Sequence, residues 1–275
     1  MSLPKIAEVF GYAVEDTSSE AVASRARKHC PFRNSPCTKA SKNDPLGICS
    51  LGSDGRATVL CPVRFIDRNR IFIDAARMAF GPGVRFGAVP EVRILRIGSK
   101  KIGKVDFLLA RLDEENQVKD FAAVEVQAVY FSGGGMRPQF QHFLDTGALP
   151  DEPGRRPDYR SSAQKRLMPQ LALKVPVFRR WGKRFFVVVD QLFFQALPRM
   201  KECAAANTEI TWLVYPLNLR SAAYQFDEVQ PFHSQWEDVM TALREGLPPE
   251  PHEIISELQL RLAAGSGPKL PLMST

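Results

Sequence analysis

The chain has 275 residues, 44% of them hydrophobic, enough for one well-buried core and a small appended module. No stretch approaches about 18 uninterrupted apolar residues, and Lys5, Glu8, Glu15, Asp16 and Glu20 interrupt the start where a signal peptide would be apolar, which argues against a membrane or exported protein and leads us to expect a cytoplasmic one. The net charge of +7 is segregated: residues 22–70 hold ten Lys/Arg against three acids, residues 137–184 eleven against four, and the remainder is acidic. Basic segments on an otherwise acidic chain suit a polyanionic partner, although solvated basic faces would give the same count.

Residues 1–28 open with a short apolar run at Ile6, Val9 and Phe10 and continue as a polar, helix-compatible stretch ending at Lys28, an arm or docking helix without evident chemistry. Residues 29–65 carry Cys30, Cys37, Cys49 and Cys61 among prolines, glycines, Asn43, Asp44 and Asp54, which reads as loop and turn with little local core. Such a stretch needs another source of order. Four thiolates around one tetrahedral ion would supply it, with zinc or iron favoured over magnesium or calcium. Two disulfides are the rival, disfavoured in a cytoplasmic protein. Cys203 lies in an apparent helix and reads as a small buried residue.

Residues 66–80 place Ile71, Ala75, Met78 and Ala79 at helical spacing, and Gly81-Pro-Gly83 ends the helix. Residues 89–97 read as the first core strand. Residues 102–112 and 120–127 are apolar runs flanking Asp113–Gln117, a β-hairpin. Alternation along its second strand puts Glu125 and Gln127 on one face, opposite Val124 and Val126. If Asp106 projects from the first strand onto the same patch, two carboxylates and an amide oxygen converge. Hard oxygens of this kind suit magnesium, which keeps most of its water and takes one or two protein carboxylates.

Residues 132–160 are loop-rich and basic, and their triple glycine lacks the Gly-Lys-Ser/Thr of a nucleotide loop, so a loop closing around a ligand is expected. Residues 161–178 give a helix with Lys165 and Arg166 near its start and Leu167, Leu171, Leu173 and Val175 on its apolar side. Residues 184–190 form a strand buried on both faces, ending at Asp190, which we read as structural. A helix over 193–206, a strand over 210–216 and two amphipathic helices over 233–264, broken by Leu247-Pro-Pro-Glu-Pro251, complete the pattern. The fold class expected is α/β: a mixed central sheet flanked by helices, with an N-terminal four-cysteine module. Residues 1–65 would form the arm and module, 66–264 the core, and 265–275 a flexible tail.

The Asp106…Glu125-Val-Gln127 arrangement resembles the PD-(D/E)xK nuclease pattern, with Val105 in place of its proline and Gln127 in place of its usual lysine. His29-Cys-Pro-Phe-Arg33, Cys37-Thr-Lys39, Gly47-Ile-Cys49-Ser50 and Cys61-Pro-Val-Arg-Phe65 resemble the cysteine-bearing N-terminal region of the NotI restriction endonuclease family, and the hairpin follows where that family carries its catalytic core. The resemblance spans residues 29–217. It implies a homodimeric type II endonuclease in a restriction-modification system with a cognate DNA methyltransferase, a structural iron held by Cys30, Cys37, Cys49 and Cys61, and magnesium-dependent cutting of double-stranded DNA at a palindromic, GC-rich site. It also implies that Glu91 completes the metal site upstream of Asp106.

The expected mechanism has Asp106 and Glu125 ligating magnesium, Gln127 orienting the attacking water, and Glu91 positioning a second ion or a water. A DNA-binding regulator that never cuts and a repair or mobile-element nuclease with the same core are the rival readings.

Overall fold

The computed structural model describes residues 4–131, 135–151, 156–244 and 249–263. Its packing divides into a first unit, Met1–Leu243, and a second, Arg244–Thr275. The chain opens with strands β1 (Lys5–Val9) and β2 (Tyr12–Ala13), helix α1 (Ser19–Ala26), the short ladder β3 (His29–Cys30) and β4 (Ser35–Pro36), and strands β5 (Ile48–Ser53) and β6 (Arg56–Val59). The stretch expected to be an arm or docking helix is therefore a strand pair followed by a helix. Four of the five residues of β1 are buried, and only α1, capped by the Ser18 hydroxyl that accepts the Ala21 N–H, keeps the helical reading.

The region expected to be loop is ordered as strands in part, with residues 31–34 and 37–47 left as turn and loop. Ile48, Leu51 and Val59 are fully buried on β5 and β6. The two strands are joined by Asp54-Gly55, both at positive φ (53° and 74°), a two-residue hairpin connection of the primed kind. Two Asp-Gly-linked runs of four to six residues are short enough for the surrounding glycines and prolines to mask them.

After Pro62–Asn69, a 3-10 stretch, come α2 (Arg70–Phe80), then β7 (Phe86–Ile97), β8 (Lys100–Leu112) and β9 (Val118–Val126). The short ladder β10 (Tyr130–Phe131) and β11 (Pro157–Asp158) brackets α3 (Arg137–Thr146), so the region expected to be loop contains a ten-residue helix ended by Gly147 at φ 73°. Most of the triple glycine lies outside the described residues. A short turn, α4 (Tyr159–Ser161), runs through a π-helical turn, Ser162–Leu167, into α5 (Met168–Trp181).

Strand β12 (Phe185–Asp190) leads to α6 (Gln191–Ala196), β13 (Ile210–Tyr215), β14 (Leu217–Arg220), β15 (Ala223–Phe226), β16 (Gln230–Ser234) and α7 (Trp236–Arg244). The helix expected over 193–206 stops at Ala196 because Pro198 biases Leu197 to extended backbone (ψ 152°). Cys203 consequently lies outside any helix and is half-buried. The second unit contains α8 (Pro251–Ala263), whose Leu258, Leu260 and Leu262 are exposed. The tail expected from Gly265 lies outside the described residues.

The central sheet has the order β16-β13-β12-β9-β8-β7, with β9, β12 and β13 parallel and the other pairs antiparallel. Every residue of β12 and β13 is buried, as continuous apolar runs in the middle of a two-faced sheet must be. On one face Ala123, Val187 and Trp212 pack with Leu171, Val175 and Phe178 of α5; on the other Val124, Val188 and Tyr215 pack with Ile71, Phe72 and Ala75 of α2.

A second sheet, β15-β14-β6-β5-β1-β2, combines strands from the N-terminal 65 residues with two from residues 217–226. Its anchor is a buried ion pair. Glu8 accepts from Arg64 Nε at 2.9 Å and from the Ser50 hydroxyl at 2.7 Å, while Arg64 Nη2 donates to the Tyr224 carbonyl and the guanidinium lies against Phe32 and Phe226.

Candidate active site

The site begins with the β8–β9 hairpin. Its turn is held by Asp113, whose carboxylate accepts the N–H groups of Glu115 (3.1 Å) and Gln117 (2.7 Å). The register Phe107↔Val124 continues to bring Asp106 beside Glu125. Each carboxylate then takes a backbone N–H of the other's strand: Asp106 N–H donates to Glu125 Oε1 at 3.3 Å, and Val126 N–H donates to Asp106 Oδ2 at 2.9 Å. Two adjacent carboxylates are thereby fixed at the level where the parallel strand β12 adjoins β9.

Gln127 follows at the strand end, its N–H donating to the Val188 carbonyl (2.9 Å) and its side-chain NH2 to the Ala128 carbonyl (2.5 Å). Asp106, Gln127 and Glu91 all line one cleft of about 990 Å³. Glu91 stands in the ladder between the pairs Pro90↔Phe107 and Val92↔Val105, opposite Asp106, with φ of 59°. Its exposed carboxylate accepts from Lys104 Nζ at 2.7 Å, and that hydrogen bond holds it below the usual carboxylate range. Glu125 does not reach the cleft wall: it is 3% exposed and lies beneath.

Burial is the main force on Glu125 and, with the Asp106 charge adding to it, pushes the carboxyl up to about 7 against the opposing pull of Lys174. Lys174 comes from α5, 4% exposed, with Nζ 2.7 Å from Glu125 Oε1 and 2.9 Å from Gln170 Oε1. Neither residue belongs to the sequence motif. The signal existed, because Leu171, Lys174, Val175 and Phe178 share one helical stripe and are the buried residues of α5. Leu173, expected on the apolar side, is instead 44% exposed. Leu167, Leu171 and Val175 recur every four residues and are buried as expected, while Leu173, two residues from Leu171, falls off that face.

The rest of the cleft combines three cations and two aromatic rings with an apolar wall that includes Val63, Ile66 and Pro169. Lys165 and Arg166 project from the π-helical turn, Arg33 from the cysteine region, and the Arg166 guanidinium lies 3.5 Å from the centre of the Tyr130 ring. Beyond Glu91, the β7–β8 hairpin extends as an arm. Arg93, Arg96, Lys100 and Lys104 are exposed on it, no acid occurs between Val92 and Val105, and Arg93 is paired in register with Lys104. Counting charge by long segments averages this arm into the acidic remainder of the chain.

The four N-terminal cysteines are free thiols that gather around Cys61, close enough for its charge to act on Cys30, Cys37 and Cys49. Burial raises the thiols of those three. Lys39, whose Nζ donates to the Ile48 carbonyl at 2.6 Å, sits among the same group. Among the described residues, no three of His, Cys, Asp and Glu converge into a ready-made metal-holding group. For magnesium this is no misfit, since two carboxylates and water suffice. For a thiolate-bound ion the donors are the right kind and neighbours, without a closed tetrahedron.

Asp190 is structural. It accepts from Thr58 Oγ1 (3.0 Å), Val59 N–H (3.1 Å) and, as the cap of α6, Phe193 N–H (2.9 Å), and burial raises it to about 6.

The sheet, the carboxylate pair and the basic cleft describe a class of protein that works on an anionic polymer. The family described as restriction endonuclease NotI has a model that matches residues 8–227. The chain belongs to that family, and is thus a restriction endonuclease by class, a site-specific nuclease that binds DNA. No curated protein matches it. No helix among the described residues is long and apolar enough to cross a membrane.

Proposed function

We propose that the protein is a type II endonuclease that makes magnesium-dependent double-strand cuts at a palindromic, GC-rich site, acting as a homodimer and paired with a DNA methyltransferase of the same specificity. The observation that carries this reading is the Asp106–Glu125 pair, latched across β8 and β9 beside a cleft walled by Lys165 and Arg166. Asp106 and Glu125 would hold magnesium, with the Val126 carbonyl as a further donor. When bound, the ion offsets the charge that builds on a phosphate under in-line attack.

The chain's own groups do the rest. Gln127, its NH2 spent on Ala128, turns its amide oxygen to the attacking water and orients it, taking no proton. Glu91 would hold a second ion or a water on the cleft side of Asp106. Lys165 and Arg166 bind the phosphates flanking the cut, and Arg93 and Arg96 extend that contact along the arm. Cys30, Cys37, Cys49 and Cys61 are assigned to a structural iron or zinc that fastens the N-terminal module. Incubation with GC-rich plasmid and magnesium tests the reading. Discrete fragments from the wild type and none from Asp106→Ala support it; equal cutting by both proteins overturns the site.

A further inference from the structure

A buried lysine in contact with one of two adjacent carboxylates calls for an explanation beyond packing. Glu125 and Lys174 have side chains only 4% exposed, and their 2.7 Å contact involves the same oxygen, Oε1, that accepts the Asp106 N–H. Behind Lys174 stands Gln170, whose Oε1 accepts a second hydrogen bond from the ammonium at 2.9 Å and which also lines the cleft. A chain of polar contacts thus runs from the cleft wall through the ammonium to the carboxylate under its floor. The lysine stem is clamped in the stripe of Leu171, Val175 and Phe178, all fully buried. Two carboxylates this close, one of them out of water, repel each other and forfeit hydration unless a cation sits with them.

We propose that Lys174 is the built-in counter-ion of this site: it keeps Glu125 paired in the metal-free protein and competes with a divalent cation for it. The inference rests on the reading that Asp106 and Glu125 are the metal ligands. When the cation arrives, Glu125 turns from the ammonium toward the cleft and Gln170 retains Lys174. Lys174 is then a positioning residue that sets how readily the site loads, and it touches neither DNA nor the reacting atoms.

Calorimetric titration of the full chain with magnesium or manganese, without DNA and at alkaline pH, separates this from a merely structural lysine. Lys174→Met and Lys174→Gln should bind the cation about tenfold more tightly than wild type, the scale of a close charge pair. Both variants should melt lower than wild type without metal and recover more on adding it, while Lys174→Arg should stay near wild type. The glutamine variant keeps the test open should the methionine variant not fold. Binding that Asp106→Asn abolishes, but that the Lys174 variants leave unchanged or weaken, overturns the counter-ion role alone. Absence of metal binding in every variant and in wild type overturns the ligand assignment and this inference with it.

Discussion

Glu125 is the residue on which charge, burial and chemistry meet. Its folded-state value near 7 lies above the ordinary 4.5, so the folded protein favours the acid form. Ionising it costs folding stability, a cost absent below the ordinary value and complete above the raised one. In metal-free protein, Glu125→Gln should therefore gain on wild type as pH rises from about 5 to about 8, whatever its constant offset, in paired thermal melts. A difference that stays flat or shrinks with rising pH contradicts the assignment. Asp106 and Glu125 were legible as neighbours because an antiparallel hairpin fixes which residues lie opposite, whereas alternation did not foresee that Glu125 lies beneath the cleft while Val126 and Gln127 both line it. Lys174 stood in plain view on the buried stripe of α5, three residues from Leu171 and four from Phe178, but a lysine is ordinarily read as a solvated charge. A lysine flanked by Leu171, Val175 and Phe178 at three- and four-residue spacing is a general sign of a charge aimed inward.

At the scale of elements, the β7–β8 arm is the feature with the most direct consequence for binding. Arg93 faces Lys104 across the ladder with the Glu91 carboxylate beside Lys104, and both cations are exposed to a passing phosphate backbone. Arg93→Ala and Arg96→Ala should each lower the slope of log binding constant against log salt by about 0.9, one counter-ion per lost phosphate contact, measured with calcium or without metal so that DNA stays intact. Unchanged slopes would remove the arm from the DNA path while leaving the cleft in place. Alternation and apolar runs foretold five of the six strands of the central sheet, and Gly81-Pro-Gly83 foretold the end of α2; the sixth, β16, runs to Ser234 and so overlaps the stretch from 233 expected to be helix. The N-terminal strands were obscured because β5 and β6 are short and their neighbours are turn residues. The strand β14 that pairs with β6 lies more than 150 residues away, at a distance that local pattern cannot read.

In the molecule as a whole, two buried acids hold the N-terminal region in place: Glu8 pairs with Arg64 inside the second sheet, and Asp190 of the central sheet accepts from Thr58 of that region. Arg64→Ala leaves Glu8 buried and unpaired and should cost about 3–5 kcal/mol of stability, read as a lower denaturation midpoint with the slope unchanged; a loss below about 1 kcal/mol, the worth of a surface pair, would mean that the pair is solvated in solution. The central claim, that Asp106 and Glu125 form the cutting centre of a site-specific nuclease, is tested most directly by digesting genomic DNA with purified protein and magnesium. A reproducible ladder of discrete fragments from wild type, reduced a hundredfold or more in rate by Glu125→Ala, is the predicted result, on the scale of losing about one pre-organised electrostatic group. A smear without discrete bands, or a ladder produced equally well by the Glu125 variant, would contradict it.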